Sequence, residues 1–220
     1  MLGTTDTARF WDRSARKYAA GKIADMAGYE RTVKCTRHWL AGSESVLEIG
    51  CGTGTTALKL AASVSRIVAS DVSSEMIAIA REKARAQGCR NAEFMTAAAG
   101  HGLGSAGCYD AVLAFNLLHL IADRPATLAS LHRQLKPNGL FISKTPCLSE
   151  MNALIRIAVP AMRMVGKAPY VAFFTAQALE AEIAAAGFTI IAQERHGSGR
   201  KDARIFIVAR KPGAAADPEA

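Results

Sequence analysis

Between Val46 and Thr55 the chain reads Val-Leu-Glu-Ile-Gly-Cys-Gly-Thr-Gly-Thr. An apolar stretch runs into glycines at 50, 52 and 54 and then into a helical pattern. Glycine permits a tight turn and close approach of the backbone to a ligand. The following helix start adds unpaired N–H donors. The dinucleotide fingerprint GxGxxG would place its third glycine where Thr55 stands, so this GxGxG spacing disfavours a nicotinamide-linked oxidoreductase. Glu48 puts a carboxylate in an apolar strand, where an unpaired one is rare. It either meets a positive charge, directly or through water, or ties the loop together. Asp71 ends the next apolar stretch, and its two oxygens can accept from two neighbouring hydroxyls. The alternative for Asp71 is a helix cap, a role Ser73 and Ser74 also fill. His119, after a third apolar stretch, is the best candidate base among five histidines. Its alternative is a structural histidine capping the turn from Leu117 to Leu120.

These residues need elements to hold them, and the hydrophobic pattern supplies an alternating series. Two N-terminal helices, broken near Gly21 and Gly28, precede strands and helices in turn. Strands are expected at 45–49, 66–70, 92–96, 110–116, 140–144, 188–194 and 203–209. Helices are expected at 55–63, 74–87, 124–135 and 175–186, with Pro137-Asn138-Gly139 as a turn. Crossover helices between strands imply a largely parallel sheet covered on both faces. The expected fold class is thus α/β: a doubly wound, Rossmann-like, seven-stranded sheet with an antiparallel last strand. One domain over 1–211 is expected, with a helical cap at 1–42, an apolar helical lid insertion at 148–174, and a disordered tail at 212–220.

Composition narrows the class. Five dispersed cysteines without a CxxC pair fit a reducing, cytoplasmic setting and argue against a disulfide framework and a structural zinc site. No apolar run approaches the roughly 18 residues of a membrane span. The N-terminus lacks the apolar core of a signal peptide. The net charge of +8 is spread over the chain, with mild concentrations at Arg9–Lys22 and Arg195–Lys211. Neither is interleaved with aromatics for stacking bases, so nucleic acid is not an expected partner.

Taken together, the motifs resemble those of the class I S-adenosylmethionine-dependent methyltransferases. Glu48 to Gly54 is similar to that family's first motif. Val68-Ala69-Ser70-Asp71-Val72-Ser73 resembles its second strand, ending in the acidic residue that holds the ribose. Ser74-Glu75-Met76-Ile77 resembles its following helix start. Tyr109 to His119 is similar to the fourth strand of its small-molecule branch, and Leu135-Lys136-Pro137-Asn138-Gly139-Leu140 to its "LKPGG" segment. The resemblance spans roughly Phe10 to Arg210. It implies S-adenosyl-L-methionine as cofactor, with Gly50, Cys51, Gly52 and Gly54 along its methionine portion and Glu48 near its ammonium. Asp71 would take the ribose, and Val72 and Met76 would flank the adenine; a plain core role is the alternative for Met76. Phe115 and Asn116 would be cofactor or substrate neighbours. The family's acidic adenine contact is missing after the third strand, leaving backbone near Ala97 and Ala98. Phe10 to Tyr18 resembles the family's opening segment, and Tyr18 would reach the methionine carboxylate.

The expected reaction is methyl transfer to a small, lipophilic acceptor, with no resident metal. Pro146-Cys147 follows the fifth strand rather than the fourth, so it does not match the nucleophile of cytosine C5 enzymes. Leu154, Ile155, Ala158, Met162 and Val165 fall near one helical face in the insertion, and Pro160 is expected to kink or break that helix. This segment would close over a lipophilic acceptor. A basic, apolar lid touching an anionic membrane to collect a lipid or quinone is the alternative. A non-catalytic S-adenosylmethionine-binding regulator is a further one. The oligomeric state is left open.

Overall fold

The computed structural model describes residues 4–101, 103–151, 154–164, 168–199 and 202–213. Seven strands form one sheet: β1 (Ser45–Ile49), β2 (Arg66–Asp71), β3 (Ala92–Thr96), β4 (Tyr109–Phe115), β5 (Leu135–Pro146), β6 (Thr189–Arg195) and β7 (Arg204–Arg210). Their spatial order is β3-β2-β1-β4-β5-β7-β6. β1 pairs in parallel with β2 and β4, β2 with β3, and β4 with β5, whereas β7 runs antiparallel to both β5 and β6. The inner strands are buried on both faces, which is why Val46–Ile49 and Ala111–Ala114 read as apolar runs without alternation.

Helices cover both faces. Beneath one lie α2 (Met26–Trp39), α3 (Thr55–Ala61) and α4 (Ser74–Ala86), which share a core with Val46, Ile67, Leu113 and Phe206. Beneath the other lie α5 (Arg124–Gln134) and α7 (Ala176–Ala185), packed on Leu47, Val112, Phe141 and Ile207. The N-terminal α1 (Thr4–Ala20) packs on α4. Asp12 holds it there: its Oδ1 accepts from Ser73 Oγ at 2.6 Å and from the Glu75 N–H at 3.1 Å. The carboxylate thus sits at the positive end of α4, where helix geometry leaves N–H groups free. The seven-strand pattern, its antiparallel last strand and the order of crossovers agree with the expected fold class.

Three expectations change. Gly28 does not break the N-terminal helices; it lies in the first turn of α2, its N–H bonded to the Asp25 side chain. A Cβ there would stand 2.7 Å from the His196 carbonyl, so this glycine serves packing. The strand expected at 140–144 begins at Leu135, because Leu135 already pairs with Tyr109. Asn138, at φ 64°, and Gly139 lie inside an irregularity of that strand. Of the kink or break expected at Pro160, the break does not occur, since α6 (Ile155–Met164) runs through it. Proline removes only its own bond to the carbonyl four residues back, and the flanking turns persist. Val165 of the expected apolar face lies outside the described residues, as does the tail from residue 214.

Candidate functional site

Chain order reverses between β1 and β4, so a crevice opens at the carboxyl ends of these strands. The loop after β1 lies there. The Cys51 N–H bonds to the Ser70 carbonyl at 2.9 Å, fixing the loop to the end of β2. Gly50, Gly52 and Gly54 all have positive φ, at 64°, 54° and 73°. Their surroundings differ. A Cβ on Gly50 would strike Leu117 at 2.6 Å, and one on Gly54 would strike Phe94 and Ala80 at 2.7 and 2.8 Å. A Cβ on Gly52 would meet only the Tyr18 ring edge, at 3.8 Å. Packing therefore demands the outer glycines, and the middle one faces open space. Lys83 braces the loop from α4, donating to Thr53 Oγ1 at 2.8 Å and Thr55 Oγ1 at 3.1 Å.

Two carboxylates converge on this loop. Asp71 Oδ2 accepts from the Gly52 N–H and Oδ1 from the Ser73 N–H, each at 2.9 Å. Each oxygen keeps a lone pair for a further donor. Burial raises the Asp71 pKa, against the pull of those two N–H groups. Ser73, not Asp71, caps α4, accepting from the Met76 N–H at 3.1 Å. Glu48 is 2 % exposed, and its Oε2 has no hydrogen-bond partner. Burial, and then the charge of Asp71, pushes its pKa up to about 8. Tyr18 leans over the loop from α1, its outer edge exposed and its ring edge-on to Trp11. Desolvation of its phenol, then Asp71 and Glu48, raises its pKa. The group is thus acidic and partly dry, with Glu48 Oε2 lacking a donor.

Residues 46–139 match the family model described as "Methyltransferase domain". That match is consistent with the class I S-adenosylmethionine-dependent methyltransferases, the family that the sequence motifs resemble. S-adenosylmethionine is the cofactor of this methyltransferase. A search of curated proteins finds no match. Solved structures agree on the fold. Magnesium protoporphyrin IX methyltransferase from Synechocystis PCC 6803, with bound S-adenosylhomocysteine, superposes with a TM-score of 0.71 at 19% identity, over 94% of this chain and 99% of that one. A possible histamine N-methyltransferase from Thermotoga maritima gives 0.69 at 19% identity, over 93% and 99%. A structure described by the conversion of a disulfide bond into a thioacetal group during echinomycin biosynthesis gives 0.68 at 25% identity, over 93% of each chain.

In this methyltransferase the predicted site residues fall into two sets. Tyr18, Glu48, Gly52 and Asp71 stand together, as described. Cys51 is buried, with its thiol toward the Gly52 carbonyl. Burial, then Glu48 and Asp71, raises its pKa. Val72 is half-buried and Met76 is 2 % exposed. Ala98 lies after β3, where the Ala97 N–H bonds to the Asp71 carbonyl at 2.9 Å. Phe115 ends β4, and Asn116 follows in the left-handed region, its N–H donating to the Lys144 carbonyl at 2.7 Å. No hydrogen bond joins Ala98, Phe115, Asn116 or His119 to the acidic group among the described residues. Burial lowers the His119 pKa to about 4, and its Nδ1 is buried without a partner. Sequence reasoning missed Asp12, Lys83 and Leu117. Only the Ser-Ser-Glu helix start hinted that α4 had a capping site to offer.

Proposed function

We propose that this enzyme transfers a methyl group to a small, lipophilic acceptor bound beside the glycine loop and under the segment 148–174. The residues present fit the cofactor: the partnerless Oε2 of Glu48 is a place for its ammonium, and the open face of Gly52 a place for its methionine chain. The unpartnered Glu48 oxygen is the observation that carries the reading, because a buried carboxylate with one oxygen left without a donor costs free energy that a bound cation recovers. The remaining lone pairs of Asp71 face the ribose hydroxyls, with Val72, Met76 and backbone near Ala98 around the adenine. Tyr18 closes the outer side, and Phe115 and Asn116 border the acceptor. When bound, the cofactor supplies a methyl group already activated on sulfonium. The protein then aligns the acceptor and excludes water.

His119 serves as structure in this scheme. A neutral imidazole with a pKa near 4 is a weak base at neutral pH. Its carbonyl accepts the Ala172 N–H at 2.8 Å, mooring the end of the 148–174 segment. The start is moored by Glu150, which accepts from the Ala176 N–H at 2.6 Å and pairs with Arg195 at 3.0 Å. Between these moorings α6 carries exposed Met162 and Met164, an adaptable apolar wall. Those same methionines, on either side of Arg163, favour a second reading in which α6 meets an anionic membrane and the acceptor is a lipid or quinone.

Methyl transfer from labelled S-adenosylmethionine, offered to extract fractions graded by polarity, tests the proposal. Label should appear in an apolar small molecule. Label confined to polar fractions contradicts a lipophilic acceptor, and label that depends on added anionic vesicles selects the membrane reading.

A further inference from the structure

A second cluster of chemistry-bearing side chains lies away from the glycine loop, where α2 packs against the β6–β7 edge. Cys35 on α2, Glu194 on β6 and His196 just beyond it bring a sulfur, a carboxylate oxygen and a ring nitrogen within 4.8 Å of one another. The Cys35 thiol donates to Glu194 Oε1 at 3.7 Å, and His196 Nε2 lies 2.9 Å from Glu194 Oε2. His196 is 4 % exposed, Cys35 is half-buried and Glu194 is open to solvent. We propose that Cys35, Glu194 and His196 bind one zinc ion, with water as the fourth ligand.

The hydrogen bonds around His196 decide which nitrogen is free. The Thr32 hydroxyl donates to the Gly28 carbonyl at 2.8 Å, one turn back in its helix. The same oxygen accepts from Lys144 Nζ at 2.8 Å. Toward His196 Nδ1, at 3.1 Å, it can therefore only accept, so Nδ1 carries a proton. The 2.9 Å contact of Nε2 with Glu194 Oε2 then holds a second proton between these two atoms, and an ion on the side of Glu194 and Cys35 would take the place of that proton on Nε2. Metal-bound imidazoles are held this way, one nitrogen on the ion and the other N–H on an outer partner.

Distance and charge agree. Zinc bonds of about 2.3 Å to sulfur and about 2.0–2.2 Å to nitrogen and oxygen set tetrahedral ligand separations of roughly 3.4–3.6 Å. The Cys35–Glu194 pair already stands near that spacing. His196 faces the other oxygen, Oε2, at 2.9 Å, so the exposed Glu194 carboxyl must turn to offer one oxygen to the ion while Cys35 and His196, within 4.8 Å, close on it. Thiolate plus carboxylate balances the dication. A filled site therefore adds no net charge beside the buried Lys144 ammonium, or beside Arg31, which donates to the His196 carbonyl. Without the ion, burial and then Glu194 push the Cys35 thiol up to about 11, while a bond from Trp39 favours the thiolate. Binding releases two protons to solvent, one from the Cys35 thiol and one from between His196 Nε2 and Glu194 Oε2, which matches the two charges of the ion. The ion would fasten α2, and with it the cap that carries Tyr18, to the edge of the sheet.

Cobalt(II) titration of the full chain tests this without reference to methyl transfer. The wild type should take up one equivalent with a thiolate-to-cobalt charge-transfer band. Zinc should displace it, and about two protons per ion should be released. Cys35→Ser should abolish the band, and Glu194→Gln, at an exposed position, should weaken uptake at least tenfold. A folded wild type without a saturable band overturns the proposal. So does a band that persists in Cys35→Ser, or uptake unchanged in Glu194→Gln.

Discussion

Gly52 and Gly54 differ in what an added methyl group would meet, and that difference separates binding from stability. Both have positive φ, so alanine at either costs roughly 1–2 kcal/mol of backbone strain. At Gly54 the methyl also strikes Phe94 and Ala80, whereas at Gly52 it enters open space beside Tyr18. Gly54→Ala should lower the melting temperature markedly more than Gly52→Ala. Gly52→Ala should instead weaken S-adenosylhomocysteine binding at least tenfold; calorimetry and thermal melts on both variants check this. Glu48 makes a pH prediction. Its folded pKa, about 8, lies above its unfolded value near 4.5. Its contribution to stability is therefore full below about pH 4.5 and lost as pH rises through about 8. Glu48→Gln should melt higher than wild type at pH 8.5, by roughly 3 °C or more. The cofactor's ammonium needs the ionised form, so wild-type affinity should rise by up to about tenfold per pH unit from 6.5 toward 8. The variant should bind more weakly, with a flatter profile.

At the scale of elements, Asp12 links the cap to the site. It fastens α1 to the start of α4, and α1 delivers Tyr18 to the glycine loop. Asp12→Ala should cost about 1 kcal/mol, as loss of a helix cap does. Faster amide exchange over residues 4–20 and weaker cofactor binding should accompany it, readable by hydrogen exchange and calorimetry. The sequence made the inner strands and the loop legible, because doubly buried parallel strands leave apolar runs and the turn leaves glycines. Gly28 was misread because its reason is the His196 carbonyl, 168 positions away in the chain. The early start of β5 hides behind Pro137-Asn138-Gly139, whose turn chemistry is real but sits within a strand irregularity. Asp12, Lys83 and the Cys35–Glu194–His196 cluster join elements far apart in sequence, and no local spacing announces such meetings.

For the whole molecule, the sheet order places the carboxylates of β1 and β2 at one crevice, and the 148–174 segment is tied down near both ends, Glu150 to the Ala176 N–H and the Ala172 N–H to the His119 carbonyl. Cofactor binding and acceptor binding should therefore separate. Deleting residues 150–172 should leave S-adenosylhomocysteine affinity within a fewfold of wild type and abolish turnover; unchanged turnover would remove the lid. The central claim is that the glycine loop and the two carboxylates bind the cofactor. Calorimetric titration of wild type and Asp71→Ala with S-adenosylhomocysteine tests it most directly. One site per chain, weakened at least tenfold in the variant, is the predicted result; a folded wild type that takes up none, or a variant that binds equally well, would contradict it.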